Sequence, residues 1–439
     1  MVFLFGLYCL FFAALIWKNF RAAIFLFVVL LPTYLVRFEW LQIGKYPFPS
    51  TLLEVTFGLI SLVWVVRYAR VDIKRIIFFF KIHRLFAIAW ALFFLSSVVS
   101  VFVSDMVFFS LGEWRAYFFE PMIFFLILIG RSEMFLPVDL LLALAVSTVS
   151  ISVYAIVQKY TGMGIATPEW ANEATRRVTA FFSSPNAVGL YVAPVLMLMS
   201  AMLVRQIKQL IQLGIKGKNI FFQPAIFGLL FAIISAFGAL VFTKSQGTLI
   251  GLGAGTLVFL FLIDFRKIAI GLAVIGVIFS LLIPSMRQAV LFQDQANQNR
   301  LRLWGYSWIF LTKTPQNFIF GTGVRQFFRK IQKPYYDTRV MERLIYPHNI
   351  FLNFWTEIGL AGMLAAVAMI GYVGFIAYKV RANDQVLGAG MVAMLTVLVV
   401  HGLVDVPYFK NDLAFLFWIL IASIFMVYAH TSQGKTERV

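Results

Sequence analysis

The sequence predicts an all-α polytopic membrane protein with 12–13 transmembrane helices and one large external loop. Three observations carry this. Hydrophobic residues make up 61% of the chain and charged residues 13%, with a mean hydropathy of +0.88; soluble domains are about 45–50% apolar and about 25% charged. Long apolar stretches recur along the whole length. Basic residues gather in the segments between those stretches, giving a formal net charge of +18. A soluble chain of 439 residues would form two or three domains, but spans repeated throughout read as a single membrane domain, 1–439.

Taken in order, segments apolar enough to form helices in lipid lie near 3–17, 22–36, 50–66, 85–103, 115–130, 136–158 and 186–204. They continue near 221–242, 248–263, 268–284, 349–378, 386–403 and 411–429. The first two are shorter than the roughly 20 residues a full crossing needs, which leaves the count between twelve and thirteen. The N-terminus has no basic leader and no small-residue cleavage site, so the first span is expected to be retained. The single cysteine, Cys9, lies inside an apolar run and cannot form an internal disulfide.

Charge sets the expected orientation. The segment after the third span carries Arg67, Arg70, Lys74, Arg75, Lys81 and Arg84 against Asp72 alone, and is the best cytoplasmic anchor. Alternating from it, the cytoplasmic side also receives Arg205, Lys208, Lys216 and Lys218, then Arg266 and Lys267, then Lys379 and Arg381. The external side receives 159–185, the turn 243–247, the segment 285–347 and the loop 404–410. The segment 285–347 is anomalous, because it holds ten basic residues against three acids on the side where positive charge is scarce. These are Arg287, Arg300, Arg302, Lys313, Arg325, Arg329, Lys330, Lys333, Arg339 and Arg343 against Asp294, Asp337 and Glu342. Two readings are open: an anionic ligand such as phosphate, which Arg grips through a bidentate fork, or anionic headgroups along an interfacial helix.

Of the four histidines, His348 is the candidate base. It stands in Tyr-Pro-His-Asn where the basic loop re-enters the membrane, and Pro347 suits a helix start there. A histidine in that place takes a proton from a hydroxyl at neutral pH; a helix-terminal histidine without a role is the bland alternative. His401 precedes Asp405 by four residues, so the two share a helical face. Asn349, Asn353 and Glu357 recur every four residues as a polar stripe on an apolar span. Charged groups in such helices face the bundle or a wet cavity, so Glu357 reads as buried and partnered, with a structural or a catalytic role both open.

Four motifs in order resemble the O-antigen ligase and polymerase superfamily across roughly residues 170–420. Arg177-Val178-Thr179-Ala180-Phe181 with Ser184-Pro185-Asn186 comes first. Asn299-Arg300-Leu301-Arg302-Leu303-Trp304 follows, with Pro315 and Gly321-Thr322-Gly323 behind it. Then come His348-Asn349-Ile350-Phe351-Leu352, continuing to Glu357-Ile358-Gly359-Leu360-Ala361-Gly362, and finally His401-Gly402-Leu403-Val404-Asp405. There is one departure. In the turn Thr243-Lys244-Ser245-Gln246-Gly247, Gln246 holds the place of a family arginine, which shifts any phosphate role there to Lys244, Arg177 or a loop residue.

The resemblance implies a type C glycosyltransferase architecture and transfer of a glycan from a polyprenyl pyrophosphate donor on the external face of the bacterial cytoplasmic membrane. The acceptor is a glycolipid, a glycan or a protein, according to the branch. On this reading Arg300 stabilises the departing pyrophosphate, Arg302, Arg177, Lys244 and Arg325 assist, and His348 is the base. Asn349, Glu357 and Asp405 support them. Inversion at the anomeric carbon is expected, with no cofactor, because no Asp-x-Asp pair or His/Asp cluster offers metal ligands. No nucleic-acid partner is expected, and the absence of a Gly-rich phosphate loop disfavours a nucleotide-sugar donor. A lipid-linked glycan transporter is the competing class. It would be marked by repeated halves or broken helices in matching positions, and neither is visible.

Overall fold

A computed structural model describes residues 2–43, 46–215, 217–337 and 343–436. Lys216, Arg339 and Glu342 lie outside the described residues. In chain order the elements are α1 (Val2–Lys18), α2 (Phe20–Val29), a hairpin of β1 (Arg37–Ile43) and β2 (Tyr46–Thr51), α3 (Leu52–Arg67) and α4 (Ala69–Ile82). Then come α5 (Arg84–Val103), α6 (Val107–Trp114), α7 (Glu120–Gly130), α8 (Pro137–Thr161), α9 (Pro168–Ala171), α10 (Pro185–Gln212) and α11 (Pro224–Thr243). The remainder is α12 (Gln246–Leu262), α13 (Arg266–Leu282), α14 (Pro284–Val290), α15 (Gln295–Lys313), α16 (Pro315–Phe320), α17 (Ile350–Val380), α18 (Gln385–Gly402) and α19 (Asn411–Thr436).

The chain is an all-α polytopic membrane protein. Among the described residues seven helices are long and apolar enough to cross a membrane, or eight if α3 and α4 count as one bent span. Every apolar segment of the sequence lies over helix, and those outside the seven are short or broken. The second is one, because α2 stops at Val29 and a 3-10 turn, Leu31–Leu35, follows. Two segments expected as loops are helical instead. The basic stretch after the third span is α4, and 285–347 contains α14, α15 and α16. Their charges suggested loop, yet each charged residue on a surface helix needs only one solvated face. The hairpin was also not expected; its strands pair antiparallel, Arg37 opposite Thr51.

Caps explain the boundaries. Thr51 and Glu54 close a capping box at the start of α3, and Asp294 and Asp384 cap α15 and α18. Pro185 and Pro315 occupy first turns, where the missing N–H costs nothing.

Two compact units form. The first comprises Met1–Arg84, Phe119–Ser245 and Phe409–Val439. Its centre is α19, where Phe415 packs against Phe27 and Phe124, and Trp418 against Phe125. The second comprises Leu85–Phe118 and Gln246–Tyr408. Its aromatic centre is Phe93, Phe118, Phe354 and Tyr408, with centroids 5.2–5.9 Å apart. In this unit α12 and α18 pack closely because Gly247, Gly251 and Gly255 line one face of α12. A Cβ on Gly251 would lie 3.1 Å from Cβ of His401.

Candidate active site

In the second unit the site is assembled at the start of α15, the start of α17 and the end of α18. Asp294 accepts from the backbone N–H of Asn297 (2.8 Å) and from its side-chain Nδ2 (2.8 Å), which fixes that amide's orientation. Oδ1 of Asn297 then accepts from Nη1 of Arg300 (2.8 Å), and Nε of Arg300 donates to the carbonyl of Val404 (2.8 Å). Two of the guanidinium's five N–H groups are thus spent on positioning, and Nη2 stays available to an oxyanion. One turn on, Trp304 Nε1 donates to the carbonyl of Pro347 (2.9 Å). A single face of α15 therefore holds both the segment that carries His348 and the segment that carries Asp405.

His348 takes φ +53°, a left-handed backbone that residues with side chains rarely adopt. The next residue explains how it is held. Asn349 caps α17, its Oδ1 accepting from Phe351 (3.1 Å) and Leu352 (3.0 Å), while its Nδ2 donates to Leu403 O (3.1 Å). Asn349, rather than Pro347, is thus what starts the helix, and it stands at the head of the polar stripe instead of inside the helix. The half-buried imidazole of His348 places Nδ1 3.3 Å from Oδ1 of Asp405, which also accepts from the Val406 amide (2.8 Å). Burial alone would raise the pKa of Asp405. The hydrogen bond from His348, the electrostatic pull of His348 and His401, and the Val406 amide outweigh it and hold the carboxyl below the usual aspartate value. An ionised carboxylate only accepts, so Nδ1 carries the hydrogen and Nε2 is left with its lone pair.

The other candidates fall elsewhere. Arg302 is exposed and, two residues from Arg300, points about 200° around α15. Arg325 does not join Arg300: its backbone N–H donates to the buried Glu357 Oε2 (2.7 Å), and its guanidinium lies 3.9 Å from Glu113 and over the Phe109 ring. The Gly321-Thr322-Gly323 motif serves packing. At Gly359 (φ 78°, ψ 174°) α17 breaks, which frees the carbonyl of Thr356, and Thr322 donates to it through both N–H (2.6 Å) and Oγ1 (2.9 Å). Arg177 and Lys244 belong to the first unit. Arg177 Nε donates to Thr243 O (2.9 Å), and burial lowers its pKa from the ordinary arginine value. Gln158 holds the same segment by accepting from Thr179 and Ala180 and donating to Ala180 O. Lys244 is exposed in a left-handed cap (φ 50°); its backbone N–H donates to Val241 O (3.2 Å), and its side chain makes no hydrogen bond or ion pair among the described residues.

Sequence reasoning missed Asn297, whose signal was its place one helical turn before Arg300 and three residues after a capping aspartate. His401, noticed as a neighbour of Asp405 and as the first residue of the last motif but given no role, is buried with Gly247 and Gly251 against it. Among the described residues no three His, Cys, Asp or Glu side chains gather as a metal site.

Residues 230–367 match the family model described as O-antigen ligase. This match supports the likeness to the O-antigen ligase and polymerase superfamily over that segment. The matched O-antigen ligase segment spans Lys244, Arg300, Arg302, Arg325, His348, Asn349 and Glu357; Arg177, His401 and Asp405 lie outside it. No curated protein matches the chain.

Proposed function

We propose that the protein is a membrane glycosyltransferase of the O-antigen ligase type, carrying a glycan from a polyprenyl pyrophosphate to an acceptor hydroxyl on the external face of the cytoplasmic membrane. The observation that supports this most is the pairing of His348 with Asp405 beside a guanidinium held by Asn297 and Val404. The acceptor oxygen attacks the anomeric carbon as its proton passes to Nε2 of His348. The bond from that carbon to the phosphoryl oxygen breaks, and the polyprenyl pyrophosphate leaves with the bonding electrons, inverting the configuration. Arg300 meets the charge that develops on the leaving oxygens through its uncommitted N–H groups. Arg177 and Lys244 are offered as further anion-binding cations within their own unit, and Arg302 and Arg325 as outer contacts for the glycan. The diphosphate is a good leaving group whose added negative charge the guanidinium of Arg300 meets, so the step is assigned no metal.

The test is incubation of purified protein, without added metal, with an undecaprenyl-pyrophosphate glycan and a panel of glycolipid, glycan and protein acceptors. Release of the lipid pyrophosphate with a single-addition product, lost in His348→Ala, is the ligase or protein-transferase outcome. A product ladder marks a polymerase. Donor moved across a vesicle bilayer with its glycosidic bond intact overturns the transferase reading in favour of a transporter.

A further inference from the structure

Helix α4 is bent 96° from α3 directly after that apolar span, so a chain that crosses the membrane in α3 turns to run along its surface. The inward face of α4 is neutralised within the protein. Asp72 is fully buried, accepts from Trp64 Nε1 (2.9 Å), and lies 3.5 and 3.4 Å from Arg75 and Arg131. Arg75 also pairs with Glu133. The outward face is different. At about 100° per residue, Arg70, Lys74 and Lys81 fall within about 40° of one another, opposite Asp72 and Ile76. All three are exposed, and none forms an ion pair among the described residues.

Apolar side chains border this stripe on both sides. Ile73 and Ile77 lie along one edge and Val71, Phe78 and Ile82 along the other, with Phe78 65% exposed. Topological bias alone accounts for basic residues here, but not for unpaired cations in register between two exposed apolar edges. Apolar edges reach toward acyl chains while Lys and Arg stems carry their charge to headgroup phosphates. We propose that α4 is a binding site for anionic phospholipid, with the headgroup phosphates on Arg70, Lys74 and Lys81. No acidic side chain on the outward face opposes this, and the cations outnumber what the protein itself neutralises.

The test uses the full chain in proteoliposomes doped with photoactivatable phosphatidylglycerol or phosphatidylcholine, with labelled peptides mapped by mass spectrometry. Phosphatidylglycerol is expected to label residues 70–82 preferentially, and the preference to fade as salt shortens the screening length. Arg70→Gln, Lys74→Gln and Lys81→Gln should each cut that labelling about fivefold at low salt, while Lys208→Gln leaves it unchanged. Equal labelling by the two lipids in the wild type overturns the proposal without depending on how any variant folds. Labelling by neither lipid also overturns it, and leaves the face to an acidic protein partner.

Discussion

His348 and Asp405 lie 57 residues apart in the chain and 3.3 Å apart in the fold. The carboxylate accepts and the imidazole donates through Nδ1, so the tautomer with a basic Nε2 is the one selected. In Asp405→Asn the amide NH₂ competes to donate to Nδ1 and favours the other tautomer. Turnover should fall roughly 100-fold or more with donor KM little changed, read as lipid pyrophosphate release. Equal turnover in the variant and the wild type would mean that Asp405 serves the fold alone.

The same aspartate sets an acid limit on stability. Its folded carboxyl is held below the ordinary value, so the unfolded chain binds the proton more readily. The stabilisation is present above the unfolded aspartate value of about 3.9 and is lost as pH falls below it toward the folded value. Melting temperatures measured from pH 7 down to about pH 3 should therefore fall less steeply in Asp405→Asn than in the wild type.

What the sequence revealed follows from where each signal resides. His348, Asn349 and Asp405 were legible because polar groups at the ends of apolar spans are costly and stand out. Arg300 stood out from ten cations only through the motif it shares with Trp304, since its bond to a backbone carbonyl at Val404 leaves no side-chain trace. Arg325 looked equivalent, yet its backbone rather than its guanidinium meets Glu357. The helices α4 and α15 were hidden because charge was read as loop, whereas a helix with one buried strip, such as Asp72 and Ile76, tolerates it. Gly321 and Gly323 stood in the sequence only as motif positions, and the fold shows that their lack of a Cβ serves packing.

Gly323 tests that last point. It takes φ +82°, and a Cβ there would lie 2.7 Å from both Ser100 O and Ser104 N, which are backbone atoms that cannot swing aside. Strain and overpacking together should cost Gly323→Ala about 3 kcal/mol or more. Earlier loss of the monodisperse peak on heating checks this. A full-strength melt would show that the loop 321–327 yields freely.

Asn297 gives the sharpest separation of positioning from folding. Its backbone N–H is held by Asp294, which caps α15 whatever side chain residue 297 carries, so Asn297→Ala should leave the helix in place. What disappears is the acceptor for Arg300 Nη1, leaving the guanidinium anchored by Nε alone. A fork held at one point samples orientations that miss the leaving oxygens, and such positioning is worth on the order of 1–2 kcal/mol, or roughly tenfold in turnover. Arg300→Lys should lose more, since an ammonium cannot reach Val404 and a diphosphate together with planar geometry. If Asn297→Ala matches the wild type while Arg300→Lys is inactive, the charge of Arg300 matters and its orientation does not. A loss in both, graded in that order with melting temperature unchanged in Asn297→Ala, is what the geometry of Asp294, Asn297 and Arg300 requires.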